Sequence, residues 1–395
     1  MEKIRYGIVG LGNQGASYMF NLFDKGAVEN GVVTALCDKN PAKIENVKAK
    51  TTNKDVTYFT DFVEMLDSGL CDAVLIEVPH YDHPEMVIAC LERGIHVICE
   101  KPAGVYAKQV KEMNAVAAKS NAKFAMMFNQ RTNCLYRKMR EIIAEGGIGE
   151  IQRVNWIITD WFRTQCYYDG GSWRATWAGE GGGVLINQCP HQLDLVQWVV
   201  GMLPKTVNGF CKYGRWHDIE VEDEVTAYFE YENGATGVFI TTTGETPGTN
   251  RFEVSGTKGK LLCENGKLVW VKNEEDSLQF SNSTDQPFGR PKTETVEVET
   301  DGKNPQHAGI INNFSNALLG LEEFFVEGTD GLAGVELMNA IELSGWRGGE
   351  KVSLPVDGDV YLEELNKRKE TSRLKTADDS KVVDTAGTYG SKSTK

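Results

Sequence analysis

In the stretch GEGGGVLINQCPHQLDLVQW, residues 179–198, an amide at Asn187, an imidazole at His191 and a carboxylate at Asp194 recur about one helical turn apart and so share a face. An imidazole changes charge near neutral pH, which suits it to carry a proton during a reaction. Pro190 is tolerated in a first helical turn, Leu193, Val196, Trp198 and Val199 supply an apolar face, and Asn187 is placed to cap the helix from its N-terminal side. Asp194 reads as a support behind the site or as structural. Far upstream, GLGNQG sets Gly10, Gly12 and Gly15 in the G-x-G-x-x-G spacing. The first glycine permits a tight turn, the second lets the backbone approach a pyrophosphate, and the third lets helix and strand pack closely. Asp38, at the end of the next strand-like run, is suited to accept hydrogen bonds from ribose hydroxyls and to repel a 2′-phosphate, while Lys39 beside it weakens that repulsion. Lys101, in CEKPAG (99–104), would carry an ammonium group to the carboxyl edge of a sheet, where ligands of such sheets bind.

These groups need elements to hold them. IRYGIV (4–9), VVTALCD (32–38), VTYF, DAVLIEVP (72–79), IHVICEKP (95–102) and KFAMMFN (123–129) read as buried strands. Helical runs separate them: about Gly15 to Asp24, NPAKIENVKAK with Asn40 as cap, DFVEMLDS, HPEMVIACLERG closed by Gly94, and AKQVKEMNAVAAKS. Strands alternating with helices imply a parallel sheet with helical crossovers. After about residue 130 the rhythm changes to longer alternating runs, QRVNWIITDWF, TAYFEYENGATGVFITTT, RFEVSGTKGKLLCE and KLVWVKN, with Asn-Gly in YENGATG marking a hairpin. The expected fold is α/β: an N-terminal doubly wound parallel sheet over 1–130, then an α+β domain over 131–365 with an open, mostly antiparallel sheet. Residues 366–395 read as a polar tail, disordered at its end.

A net charge of −14 argues against a nucleic-acid partner, and no apolar run reaches the length of a membrane span. The N-terminus has the charged start and short apolar run of a signal peptide, but its glycine spacing fits a first strand and turn better. Nine cysteines without a CxxC pair read as thiols in a reducing cytoplasm, with no metal site expected.

Taken together, GxGxxG at 10–15, Asp38, EVPHYDHPEM (77–86), EKP at 100–102 and GGG-x3-N-x3-H-x2-D at 181–194 resemble the Gfo/Idh/MocA oxidoreductases, the family of glucose–fructose oxidoreductase and inositol dehydrogenase. The resemblance runs over roughly residues 3–365. It implies a Rossmann domain followed by an α/β domain with an open sheet, a nicotinamide cofactor, sugars or cyclitols as substrates, and homodimers or homotetramers that pair through the open sheet. By position, Lys101 matches the family's EKP lysine and His191 its catalytic histidine. Asn187 falls where many members carry an aspartate. The residues expected at an NAD site, with NAD favoured over NADP, are Gly10, Gly12, Asn13, Gln14, Gly15, Asp38, Lys39, Pro79, Tyr81, His83, Glu100, Lys101 and Gln130.

Oxidising a secondary alcohol to a ketone needs a base for the hydroxyl proton while the carbinol C–H leaves as hydride. His191 is assigned as that acid/base and Lys101 as the group that binds the reacting oxygen, with Lys101 as base the competing assignment. Asn187 would position substrate or the helix without titrating, and Gly181, Gly182 and Gly183 would let the backbone pass close to a nicotinamide or sugar ring. Arg131 in FNQRTN, Tyr168, Trp173, Arg174 and Trp177 in CYYDGGSWRATW, and His307 in NPQHAG complete the expected substrate contacts, because aromatic faces and a guanidinium suit a pyranose. The leading expectation is a dehydrogenase of a sugar, glycoside or cyclitol. The runner-up is an NAD-dependent glycoside hydrolase or lyase working through transient oxidation and elimination. A sugar-sensing regulator is the third.

Overall fold

The computed structural model describes residues 3–373 and residue 375. The chain forms two compact units, one built from residues through Asn129 plus Pro305–Val335, the other from Gln130–Asn304 and residues from Glu336 on. The polar tail expected over 366–395 lies outside the described residues beyond 375. Its first residues continue a helix, Gly358–Glu370.

The first unit holds six strands, β1 (Ile4–Val9), β2 (Gly31–Cys37), β3 (Thr57–Phe59), β4 (Ala73–Ile76), β5 (His96–Cys99) and β6 (Phe124–Met126). Their order is β3-β2-β1-β4-β5-β6 and every pairing is parallel. β4 is buried at all four positions, as a strand covered on both faces must be. The helices α1 (Asn13–Ser17, continuing as a π-helical stretch Tyr18–Phe23), α2 (Pro41–Lys50), α3 (Phe62–Asp67), α4 (His83–Glu92) and α5 (Ala107–Ala117) supply the crossovers. Their starts follow local chemistry: Asn40 accepts a hydrogen bond from Ala42 N–H at 3.0 Å and Asp61 from Glu64 N–H at 2.9 Å.

The stretch 305–335 returns to this unit, which a linear division of the chain near 130 does not contain. On its helix Gln306–Leu318, Ser315 shares a 2.7 Å hydrogen bond with Tyr6 of β1, and both residues are buried. Asn312 donates to Ala27 O at 2.8 Å and accepts from Glu29 N–H at 2.9 Å. Gly328 and Gly331 lie so close to Phe124 and Ala103 that a Cβ would fall 2.2 and 2.5 Å from their side chains.

The second unit is built on nine strands: β7 (Ile151–Ile158), β8 (Thr206–Tyr213), β9 (Glu222–Glu230), β10 (Thr236–Thr242), β11 (Asn250–Gly256), β12 (Gly259–Glu264), β13 (Lys267–Asn273), β14 (Thr293–Glu297) and β15 (Val352–Ser353). The order is β14-β13-β12-β11-β7-β10-β9-β8-β15, antiparallel throughout except for the parallel β7–β10 pair. The Asn233-Gly234 turn joins β9 to β10, with Glu230 opposite Thr236. One face is buried: Trp156 on β7 stacks on its cross-strand partner Phe252 at 4.2 Å. On the other face, Phe210 is 53% and Tyr228 37% exposed.

Candidate active site

The turns that follow β1, β2, β4 and β5 lie at the carboxyl edge of the parallel sheet, and the strand order reverses between β1 and β4, the place where such sheets bind ligands. The three glycines divide the work. At Gly10, with φ +88°, a Cβ would fall 2.3 Å from Glu77 O; at Gly15 it would fall 2.0 Å from Gly10 O. Both are needed for the turn to close. At Gly12 a Cβ would meet nothing within 4 Å, so its bareness leaves open space at the start of α1, where Gly12 is the N-cap residue. That cradle fits a pyrophosphate. Asn13 and Gln14 are the first residues of α1.

Asp38 is 5% exposed and braces this turn. Its Oδ2 accepts from Leu11 N–H at 2.7 Å and its Oδ1 from Asn40 N–H at 2.8 Å. Lys39 points to solvent, and the cation that approaches Asp38 is Lys43 on α2, at 3.6 Å.

Beyond β5, Glu100 Oε2 accepts from Lys101 N–H at 3.1 Å, and Tyr18 O–H donates to Oε1 of the same carboxylate. Burial together with the charges at Glu100 and Glu77 pushes the Tyr18 phenol far up, so it stays a donor. Glu77 is pushed well above the usual carboxylate range by burial and by Glu100, against the pull of Lys101. Its Oε2 is shielded and has no hydrogen-bond partner. Tyr18 and Glu77 were not singled out in the sequence; only the fold shows that they surround Glu100 and Lys101. His307 belongs to this unit. Its ring lies 5.4 Å from that of Tyr18 and its Nε2 3.4 Å from Gln14 Nε2, and burial holds its pKa below the ordinary histidine value. Pro79 and Tyr81 follow β4 and are half-buried. His83 is fully buried, with Nδ1 2.7 Å from Pro102 O and Nε2 2.8 Å from Val78 O. The expectation of a cofactor contact from His83 is therefore corrected: its ring faces main-chain carbonyls.

In the second unit, the helical region at 184–198 starts differently from the expectation. A short helix, Val184–Asn187, ends at Asn187, and the next, Pro190–Trp198, begins after Cys189 with no side-chain cap. Asn187 is thus no N-cap. Its Nδ2 donates to Glu180 and its Oδ1 accepts from Tyr167 O–H at 3.1 Å. Glu180 is 1% exposed, and its other oxygen accepts from Ala175 N–H at 2.5 Å. This answers why an amide stands at 187. A carboxylate is already present at 180, and an aspartate facing it would set two anions in one buried place. Gln188 Nε2 and Arg174 Nη1 both donate to the phenolic Oη of Tyr167, at 3.1 and 2.5 Å, and the Arg174 guanidinium lies over the Tyr167 and Trp173 rings.

Tyr167 and Glu180, like Tyr18 and Glu77, carry no signal in the sequence that singled them out. Tyr168, expected at the substrate, instead donates its hydroxyl to Thr243 Oγ1 at 2.7 Å inside the unit. Trp177 packs edge-on against Trp346 at 5.6 Å. Arg131 is also corrected: it is 1% exposed and grips Asp194 through two bonds, Nε at 2.8 Å and Nη2 at 2.6 Å, with Trp198 beneath its guanidinium. Gln130, next to it, is buried. His191 is the second residue of Pro190–Trp198 and is 8% exposed. The glycine block is explained by the protein itself. A Cβ at Gly183 would fall 2.0 Å from Glu222 O, and one at Gly182 2.7 Å from Glu342 Oε1. Glu222 accepts from Gly183 N–H and Leu185 N–H at 2.9 and 3.0 Å, and burial raises its pKa to about 7.

Two expected outcomes follow here. Arg131→Met leaves Asp194 buried without its cation, which costs about 3–5 kcal/mol, so Tm in a thermal melt falls by roughly 6–20 °C. Asn187→Asp places a second carboxyl against Glu180. One of the pair then keeps its proton in the folded state and has a raised pKa, so the stability it allows is present at low pH and lost as pH rises. The gap in unfolding free energy between N187D and wild type, read from denaturant melts, is small at pH 5 and widens toward pH 8 by an amount on the order of 1–3 kcal/mol. A constant gap would contradict the Asn187–Glu180 contact.

The comparisons with known proteins agree with this architecture. Residues 4–128 match the family model described as "Oxidoreductase family, NAD-binding Rossmann fold", and residues 136–262 match the GFO/IDH/MocA C-terminal domain. The chain belongs to the Gfo/Idh/MocA family of oxidoreductases. It is similar to myo-inositol 2-dehydrogenase of Thermotoga maritima, 24% identical over 275 residues that cover 68% of this chain and 77% of the relative. It is 25% identical to levoglucosan dehydrogenase of Pseudarthrobacter phenanthrenivorans over 318 residues, 72% and 78% of the two chains. Among solved structures, the WlbA dehydrogenase of Bordetella pertussis, in complex with NADH and UDP-GlcNAcA, superposes with a TM-score of 0.72 at 25% identity over 90% of this chain and all of that one. No described helix is long and apolar enough to cross a membrane, and the described residues contain no cluster of His, Cys, Asp and Glu that could hold a metal ion.

Proposed function

We propose that the protein is an NAD-dependent dehydrogenase that oxidises a ring hydroxyl of a sugar, glycoside or cyclitol to a ketone, or runs the reverse. The observation that carries this reading is the Lys101 turn, set at the carboxyl edge of the Rossmann sheet among Tyr18, Glu77 and Glu100 and next to an open glycine cradle. The relatives named for inositol and levoglucosan support the substrate class.

Gly12 and the first N–H groups of α1 would hold the cofactor's pyrophosphate, and Asp38 its adenosine ribose. The carboxylate at 38 disfavours a 2′-phosphate, which supports NAD over NADP, although Lys43 at 3.6 Å softens the preference. Bound nicotinamide supplies the hydride acceptor. Lys101 Nζ donates to the reacting oxygen and stabilises the charge that develops on it as its proton leaves. His191 takes that proton and returns it in the reverse direction. Asn187, fixed by Glu180 and Tyr167, shapes the substrate side together with Trp173 and Arg174. The exposed Phe210 and Tyr228 on the open sheet support pairing with a second copy, and the nine free cysteines support a reducing, cytoplasmic setting.

The test is a mixture of the purified protein with NAD or NADP and a panel of free sugars, cyclitols and aryl glycosides, following reduced cofactor and released aglycone together. The expected result is reduced cofactor, faster with NAD, and no aglycone. Aglycone release without net NADH would overturn the reading in favour of a hydrolase or lyase. Saturable binding with neither product would make the protein a sensor.

A further inference from the structure

His83 is the first residue of α4, 0% exposed, and both of its ring nitrogens lie against main-chain carbonyls: Nδ1 2.7 Å from Pro102 O and Nε2 2.8 Å from Val78 O. A carbonyl oxygen only accepts, and burial holds the ring below the ordinary histidine pKa, so the neutral imidazole donates its single N–H to one of the two, the shorter contact favouring Nδ1–H to Pro102 O. The two carbonyls belong to different turns. Val78 lies just beyond β4, and Pro102 directly follows Lys101 beyond β5, the strand paired to β4 through Ile76 and Cys99. One imidazole therefore spans the two turns that frame the carboxyl edge at this point. The shorter contact holds the Pro102–Ala103 peptide, one residue on from Lys101.

We infer that His83 is a positioning residue for Lys101: by bonding the Pro102 carbonyl through Nδ1 it fixes the turn from which the ammonium group projects. This rests on the reading that Lys101 binds the reacting oxygen. The side chain itself touches neither ligand, since all of it is buried among protein atoms. It acts on how well Lys101 is aimed. Misplacing a reacting group by an ångström can cost about a hundredfold in rate.

The two nitrogens can be tested apart. Asparagine sets its amide nitrogen near the place of Nδ1, and glutamine sets its own near that of Nε2. H83N therefore keeps a donor for Pro102 O, and H83Q keeps one for Val78 O. With NAD and an active sugar from the panel above, kcat of H83N should stay within about threefold of wild type, and kcat of H83Q should fall by about 10–100-fold at unchanged NAD affinity. A role confined to stability would lower both variants alike or leave both at the wild-type rate, and either result overturns the inference. A second readout needs no turnover. Lysines are reductively methylated with 13C-formaldehyde, and the Lys101 signal is assigned by its loss in K101M. That signal should shift in H83Q and stay in place in H83N. If wild type turns over no sugar but the signal behaves in this way, the positioning role stands and the dehydrogenase reading falls. If turnover occurs and the signal is the same in both variants, the positioning role falls alone. Should both variants fail to fold, 15N NMR of the wild-type ring decides: a protonated Nδ1 is expected, and a ring protonated only at Nε2 overturns the inference.

Discussion

His191→Ala lowers kcat by about 10²–10⁴-fold while the dissociation constant for NAD changes by less than about twofold. The size is that of losing a positioned general acid/base. The selectivity follows from where the groups sit in the chain. His191 is on Pro190–Trp198 in the second unit, whereas the glycine cradle, Asp38 and the turn after β4 all belong to the first. The fold should survive the change, because the helix is anchored by neighbours that remain: Asp194 is gripped by Arg131, and Leu193, Leu195 and Val196 are buried. Added imidazole should recover part of the lost rate in H191A, since the deleted atoms leave room for a small base. Steady-state kinetics with an NAD titration measures all three quantities. An H191A rate equal to wild type would move proton transfer to Lys101.

Lys101→Met lowers kcat by about 10²–10³-fold, the loss expected when a donor aimed at developing negative charge is removed. The neighbourhood makes this loss more than local. Glu77 and Glu100 stand beside Lys101, and Glu77 is already pushed up by burial and by Glu100, with Lys101 the cation that draws it down. In K101M the Glu77 carboxyl titrates higher still, so the region loses its positive centre without gaining an anion in exchange. Lys101→Arg keeps the charge but not the compact donor geometry, and should recover less than a tenth of the wild-type rate. A kcat in K101M within threefold of wild type would remove Lys101 from the reacting oxygen. Its role would then be confined to the ion balance around Glu77.

How much of this was legible beforehand depended on how local each signal was. The Rossmann strands could be read because a buried parallel strand declares itself as an apolar run, and the glycine turn because its spacing answers to contacts within a few residues, as Gly15 against Gly10 O shows. Asn40 as a cap is equally local. The return of 305–335 was not legible, because Tyr6 and Ser315 meet across most of the chain and neither residue advertises a partner. The same is true of Asn187. Its local pattern is that of a cap, but Cys189 and Pro190 shift the helix start, and what fixes the amide is a glutamate seven residues before it and a tyrosine twenty before it. Gly182 and Gly183 looked like room for a ligand, and the occupants of that room are Glu342 and Glu222. Arg131 looked like a sugar contact because an arginine beside a strand end usually reaches solvent; here a buried aspartate claims it. In each case the residue type was informative, and its partner lay too far along the chain to be inferred.

In the proposed reaction, hydride passes directly from a ring carbinol carbon to NAD. The most direct measurement uses a substrate from the active panel deuterated at the oxidised carbon, followed through a single turnover, with the label located in the dinucleotide by NMR. Deuterium is expected at one face of nicotinamide C4, with a single-turnover rate that collapses in both K101M and H191A. Reduced cofactor lacking the label, or label transfer at the wild-type rate in both variants, would contradict it.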